Sequence, residues 1–108
     1  MLRKTGSWWK YRVMTSKKPF SPEDADIHLS ADEALVLFDL LSRWCEDGET
    51  PTPGGDCFES TAECAAIHGL LASLERRLVT PMRGDYHEYL REARLRLAPA
   101  WDYPTLRG

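Results

Sequence analysis

Two features that are rare or missing in this 108-residue chain exclude whole classes of protein. No stretch approaches the roughly 18 consecutive apolar residues that cross a bilayer, and the first residues carry no signal-peptide core. Cysteine is scarce, and the odd number formed by Cys45, Cys57 and Cys64 argues against a secreted disulfide framework. We therefore expect a cytoplasmic protein that has no membrane partner.

Motifs for metal binding, phosphate binding and catalysis are absent as well. Cys64 and His68 lie one helical turn apart with Cys57 before them, but zinc would need a fourth ligand and closely spaced ligand pairs. The run Thr-Pro-Gly-Gly-Asp at 52–56 lacks the lysine and helix start of a phosphate loop. No strand–turn–helix elbow surrounds a serine or cysteine nucleophile. The sequence predicts no metal, no cofactor and no enzymatic activity.

Acidic residues are missing from residues 1–20, which carry a local charge of +6. Residues 21–66 reverse this pattern, because they hold twelve acids against Arg43 alone. Residues 67–108 have a net charge of +2. An acidic middle would repel nucleic acid and attract a basic protein surface. The alternative is that these charges only cap helices and keep the domain soluble.

The clearest helix signal lies in residues 30–48, which contain both helix ends and an apolar face. Ser30 and Glu33 have the spacing of a capping box, and Gly48 suits a left-handed terminator, so we predict a central helix over residues 31–47. Apolar side chains cover most of this helix, which therefore needs packing neighbours on two flanks. The residues left to define a polar side are Asp32, Asp39, Ser42 and Arg43.

Capping-box spacing occurs twice more along the chain. Ser60 with Glu63 predicts a second helix over about 60–79, and Asp85 with Glu88 predicts a third over about 86–98. Alternating aromatic and cationic residues predict a strand over residues 9–14, which could pair with residues 26–30.

These patterns predict a mainly α, three-helix domain, with or without a short N-terminal two-stranded β-ribbon. We expect residues 1–108 to form a single domain. Residues 1–7 would be a flexible leader, and residues 99–108 would be a C-terminal tail.

The loop after the central helix is the predicted partner-binding surface, because it places acids beside stiff Pro and Gly backbone. The acidic positions are Glu46, Asp47, Glu49, Asp56 and Glu59. Asp32 and Asp39 on the central helix are the second choice, and Phe58 would be an apolar anchor.

The chain resembles small bacterial immunity-type proteins encoded beside polymorphic or contact-dependent toxins. The resemblance lies in the run Leu29-Ser-Ala-Asp-Glu-Ala-Leu-Val-Leu-Phe-Asp-Leu-Leu-Ser-Arg-Trp, then Ala62-Glu63, Leu74-Glu75 and Asp85-Tyr86 with its arginine-rich helix. It covers roughly residues 26–98 and implies no individual binding residue. The implied activity is tight one-to-one binding that neutralises a cognate toxin with a basic cleft, in the cytosol of the producing cell.

The alternative function is that of a non-catalytic structural or oligomerising subunit. Such a subunit would use the aromatic leader, or the small residues Ala65, Gly69 and Ala72 of the second helix, to join its own kind. In either case we expect the free protein to be a monomer or a small homo-oligomer.

Overall fold

The computed structural model describes residues 23–79, 81 and 83–108, and three α-helices build this part of the chain. Helix α1 spans Ala31–Ser42 and continues as a π-helical turn, Arg43–Asp47. Helix α2 spans Thr61–Arg77, and helix α3 spans Tyr86–Leu97. The mainly helical, three-helix prediction is confirmed.

The predicted β-ribbon is not found in the described residues. Residues 26–30 lead into α1 as non-helical chain and form no strand. The other predicted strand, residues 9–14, and the predicted leader, residues 1–7, lie outside the described residues.

The cap of α1 is the capping box that the sequence predicts. The Glu33 N–H donates to Ser30 Oγ at 3.0 Å, and the Ser30 N–H donates to Glu33 Oε1 at 2.9 Å. At the other end Gly48 has a φ of 84°, the left-handed conformation that glycine adopts without a steric penalty. Both ends of the central helix are therefore set by local sequence.

The cap of α2 differs from the prediction. Ser60 Oγ accepts from the Ala62 N–H at 3.0 Å, and the Glu63 carboxylate accepts from the Glu59 N–H at 3.1 Å. The reciprocal bond to the Ser60 N–H is therefore not made, because Glu63 reaches one residue further back.

The predicted Asp85 cap of α3 is wrong. Asp85 makes no side-chain cap bond, and its carboxylate instead accepts from Arg83 Nε at 3.2 Å. A cation two residues away competes successfully with the weaker backbone donors for the same oxygens.

Helix α1 lies between the other two helices, as its broad apolar surface predicts. Where α1 packs against α2, the buried apolar residues are Leu41, Leu71 and Leu74. Where α1 packs against α3, they are Leu35, Leu90 and Ala93. Burial of apolar area on both flanks is the main stabilising term of the described fold.

Helix α3 runs antiparallel to α1. Tyr86 at the start of α3 contacts Asp39, whereas Arg96 near its end contacts Asp32. The predicted polar side of α1 is therefore largely its contact with α3, and the hydroxyl of Ser42 is buried too. The prediction treated these residues as solvated because helical periodicity does not show that another helix carries matching cations.

The Ser30 cap gives a direct stability prediction. Ser30→Ala removes an acceptor for the orphan amides of α1 and should lower the free energy of unfolding by about 1 kcal/mol. The matched control is Asp85→Ala, which removes no cap bond and should cost less than half as much. Urea denaturation followed by circular dichroism measures both, and equal losses would contradict the assigned caps.

Candidate protein-binding surface

Asp39 is the centre of a charged cluster between α1 and α3. Its side chain is only 15% exposed. One carboxylate oxygen accepts from Arg43 Nε and Arg94 Nη2, each at 2.8 Å, and the other accepts from the Tyr86 hydroxyl at 2.9 Å. Three donors from two helices therefore hold one carboxylate, which fixes the register of α3 on α1.

Within this cluster the pKa of the Asp39 carboxyl is lowered and the pKa of the Tyr86 hydroxyl is raised. Burial alone would raise the pKa of Asp39, but the hydrogen bonds from Arg43 and Tyr86 and the charge of Arg94 outweigh it and lower the pKa. Burial, followed by the hydrogen bond to the Asp39 carboxylate, raises the pKa of Tyr86 to about 12. Asp39 is therefore ionised and Tyr86 protonated at neutral pH.

Asp32 lies about two helical turns before Asp39 and is also bound by an arginine of α3. Arg96 donates to both of its oxygens, from Nε at 2.8 Å and from Nη2 at 2.9 Å. This two-pronged hydrogen bond lowers the pKa of Asp32. The two second-choice contact residues, Asp32 and Asp39, are thus both bound to arginines of their own chain.

The first-choice acids are placed differently, on the segment that joins α1 to α2. We call Glu46, Asp47, Glu49, Asp56 and Glu59 the acidic loop. All five are exposed. The Thr50 hydroxyl donates to Asp47 Oδ2 at 2.6 Å, and a short 3-10 turn at Gly55–Cys57 gives the segment a defined path. The acidic loop therefore has a defined backbone conformation.

No cation neutralises the acidic loop within the described residues. The sequence contains no lysine or arginine from Trp44 to Glu75. The five ion pairs found in the described part of the chain involve Asp39, Asp85, Asp32 and Glu92, and none reaches the loop. Within the described residues, ion pairs thus engage the two acids beneath α3, Asp32 and Asp39, and none engages the five acids of the loop.

Two acids of the loop also lie at the wrong end of a helix. Glu46 and Asp47 end the helical turn that continues α1, where the helix dipole favours cations over anions. No basic residue occupies the last turn of α1. The helix dipole therefore does not explain these two carboxylates, whereas it does explain Asp32 and Glu33 at the start of the same helix.

The aromatic residues near the loop are only partly accessible. Phe58 is partly buried between the exposed Asp56 and Glu59. Trp44 packs against the buried cluster of α1 and α2. Phe58 therefore offers an apolar edge within the acidic loop, and Trp44 supports the core.

The residues considered as zinc ligands are separately placed. Cys57 and His68 are exposed, and Cys64 is partly buried. No group of three or more histidine, cysteine or acidic side chains that could hold a metal occurs in residues 23–79, 81 and 83–108.

Burial raises the pKa of Cys45, and the charges of Glu46 and Cys64 add to the effect, so its thiol is held in the less reactive protonated form.

Sequence reasoning did not identify Tyr86, Arg94 and Arg96 as the partners of the α1 acids. A usable signal was present, because Asp32 and Asp39 are seven residues apart and so share one side of a helix. An antiparallel neighbour rich in arginine could have been matched to them.

Comparisons with protein-family models, curated proteins and solved structures find no match to this chain. Among the described residues, no helix combines the length and apolarity that crossing a membrane requires.

The lowered pKa of Asp39 predicts a loss of stability in acid. A carboxyl with a lowered pKa in the folded state stabilises the fold above its unfolded pKa, and this contribution disappears as the pH falls below about 4. Asp39→Asn should cost about 1–3 kcal/mol at neutral pH and flatten the acid limb of the stability curve. Urea denaturation across pH measures both effects. The exposed Asp102→Asn is the control, and an acid limb unchanged by Asp39→Asn would contradict the cluster.

Tyr86 predicts the opposite pH dependence. Its unfolded form loses a proton near pH 10, whereas the folded form keeps it to about 12, so its contribution to stability is lost as the pH rises between these values. Tyr86→Phe should remove one late-titrating tyrosine from the ultraviolet absorbance titration of tyrosinate. If the latest titration step persists in this variant, the Tyr86–Asp39 hydrogen bond is not what delays it.

Proposed function

We propose that this chain is an immunity-type protein that binds a cognate bacterial toxin through the acidic loop and covers a basic functional surface of that toxin. One observation carries the proposal. The described structure pairs the acids beneath α3 with arginines, yet the five exposed acids of the segment between α1 and α2 form no ion pair within the described residues.

The location of these acids supports a role in recognition. Glu46 and Asp47 stand where a helix dipole disfavours negative charge, so the dipole does not account for either of them. Residues that break a local stability rule without compensation are often functional ones. An acidic surface also attracts a basic partner over a distance of about 10 Å at 0.1 M salt.

The loop is suited to binding without a large ordering cost. Gly48 provides the left-handed turn that ends the helix, and the Thr50 hydroxyl donates to Asp47. Pro51 and Pro53 restrict the backbone that follows. A loop that is already ordered loses less conformational entropy when a partner binds. Phe58, partly buried between Asp56 and Glu59, would add apolar contact within the acidic loop.

The partner class follows from charge and from the resemblance to immunity-type proteins. Toxins of this kind are often enzymes with basic substrate clefts, and a concentrated acidic surface can occupy such a cleft with fast, electrostatically steered association. Binding alone would then inhibit the toxin, so the protein needs no catalytic group of its own.

The test is to express this chain with the product of the adjacent gene and to measure their association rate at low and moderate salt. We expect one-to-one binding that suppresses the neighbour's toxicity. The double variant Glu46→Arg, Asp47→Arg should slow association by about tenfold or more and reduce its salt dependence. Its free energy of unfolding should change little, because cations suit a helix C-terminus and this gain offsets the loss of the exposed Thr50–Asp47 hydrogen bond.

The matched control is Glu75→Arg. Glu75 is an exposed acid near the end of α2, about 20 Å along that helix from its start, so this variant reverses one acidic charge outside the acidic loop and can be compared with each single loop variant, Glu46→Arg and Asp47→Arg. It should leave association nearly unchanged. Equal effects of the control and the loop variant would contradict a specific role for the loop. Lack of binding combined with a stable homo-oligomer would instead favour the structural-subunit alternative.

A further inference from the structure

Two arginines from different helices meet at one oxygen of Asp39. Arg43 Nε and Arg94 Nη2 each lie 2.8 Å from Asp39 Oδ2, so these two nitrogens are no more than twice that distance apart. The carboxylate is only 15% exposed, whereas the side chains of Arg43 and Arg94 are 41% and 50% exposed. A largely shielded carboxylate therefore holds two neighbouring guanidinium groups that both remain open to solvent.

Each of these guanidinium groups has hydrogen-bond donors to spare. An arginine side chain carries five N–H donors in a rigid plane. Within the described residues, Arg43 uses only Nε and Arg94 uses only Nη2, both on Asp39. Both Nη groups of Arg43, and Nε and Nη1 of Arg94, therefore remain available to a second acceptor.

The charges around this pair of arginines do not balance. Asp39 is ionised, so one negative charge faces two positive charges. The acids that follow Arg43 on the next turn form no ion pair with it in the described part of the chain. Arg91, three residues before Arg94 and on the same side of α3, is exposed and adds a further positive charge. The surface where the two arginines meet is therefore short of negative charge.

We propose that Arg43 and Arg94 form a binding site for a phosphate group, in which Asp39 is the residue that positions both arginines. A phosphate is tetrahedral, so its oxygens can accept from two guanidinium groups that approach from different helices. The planar fork of arginine suits such an ion better than the single ammonium group of lysine. This site would operate with or without the proposed toxin partner.

The surroundings favour a single phosphate group as the ligand. The acidic loop begins at Glu46, three residues after Arg43, and it would repel a nucleic-acid strand with its long row of phosphates. One phosphate between the two arginines would bridge α1 and α3. The group is either inorganic phosphate or the phosphate monoester of a small molecule.

The test is a titration of the isotopically labelled full chain with sodium phosphate, with sodium chloride keeping the ionic strength constant. We expect saturable shifts of the Nε–H signals of Arg43 and Arg94, with a Kd on the order of 1 mM for a half-exposed site. A parallel titration with glycerol 3-phosphate identifies the source of the phosphate. Tighter binding of this ester would assign a monoester, and equal or weaker binding would assign the free ion.

Lysine variants test the site without removing the charges that hold Asp39. Arg43→Lys and Arg94→Lys each keep a cation beside Asp39 but lose the spare donors, so each should weaken phosphate binding at least about fivefold. The matched control is Arg96→Lys on the same helix. Arg96 donates from both Nε and Nη2 to Asp32, away from the paired arginines, and its replacement should leave phosphate binding unchanged.

Three results would overturn the proposal. The first is the absence of saturable shifts in the wild-type chain at up to about 20 mM phosphate. The second is an equal loss of binding in Arg96→Lys and in the two site variants. The third is an acetate titration that matches phosphate in affinity at the same ionic strength. Circular dichroism reports whether each variant is folded, and if one site variant is not, the other decides.

Discussion

The described structure depends on one constraint, which is that α1 is too apolar to be stable with only one side covered. Helices α2 and α3 bury two of its flanks, through Leu41 with Leu71 and through Leu35 with Leu90. Charge then selects the position of α3. Because Asp39 binds Arg43, Arg94 and Tyr86 together, a shift of α3 along α1 would leave a largely buried carboxylate with Arg43 as the one remaining donor of the three, which is costly.

The same electrostatic arrangement distinguishes the acids that hold the fold from those that we propose to bind a partner. Acids at Asp32 and Asp39 are used within the fold, and their lowered pKa values reflect the arginines that bind them. The acidic loop receives no such cation in the described residues, although the chain has seven arginines after residue 66. In the proposed function these exposed acids serve to bind a basic partner, since mixed charges would serve solubility equally well.

Local signals made most of the helical architecture predictable. The Ser30–Glu33 box and Gly48 mark the limits of the central helix, and its wide apolar surface requires two neighbours. Long-range pairing was not predictable in the same way. The partners of Asp39 lie 47 and 55 residues further along the chain, and periodicity within α1 carries no information about them. A local signal can also mislead: Asp85 has the spacing of a helix cap, but its carboxylate binds Arg83 instead of capping α3. The acidic loop was predictable as a surface, since a run without lysine or arginine cannot neutralise itself.

The most direct measurement of the central claim is chemical-shift mapping of the isotopically labelled protein as the unlabelled product of the adjacent gene is added. The account predicts that amide signals of Glu46, Asp47, Glu49, Asp56 and Glu59 move or broaden first and saturate at one equivalent. Signals of Asp32 and Asp39, whose side chains are already bound to arginines, should change little. Changes centred on α3 or on residues 98–108, with the acidic loop unaffected, would contradict the account.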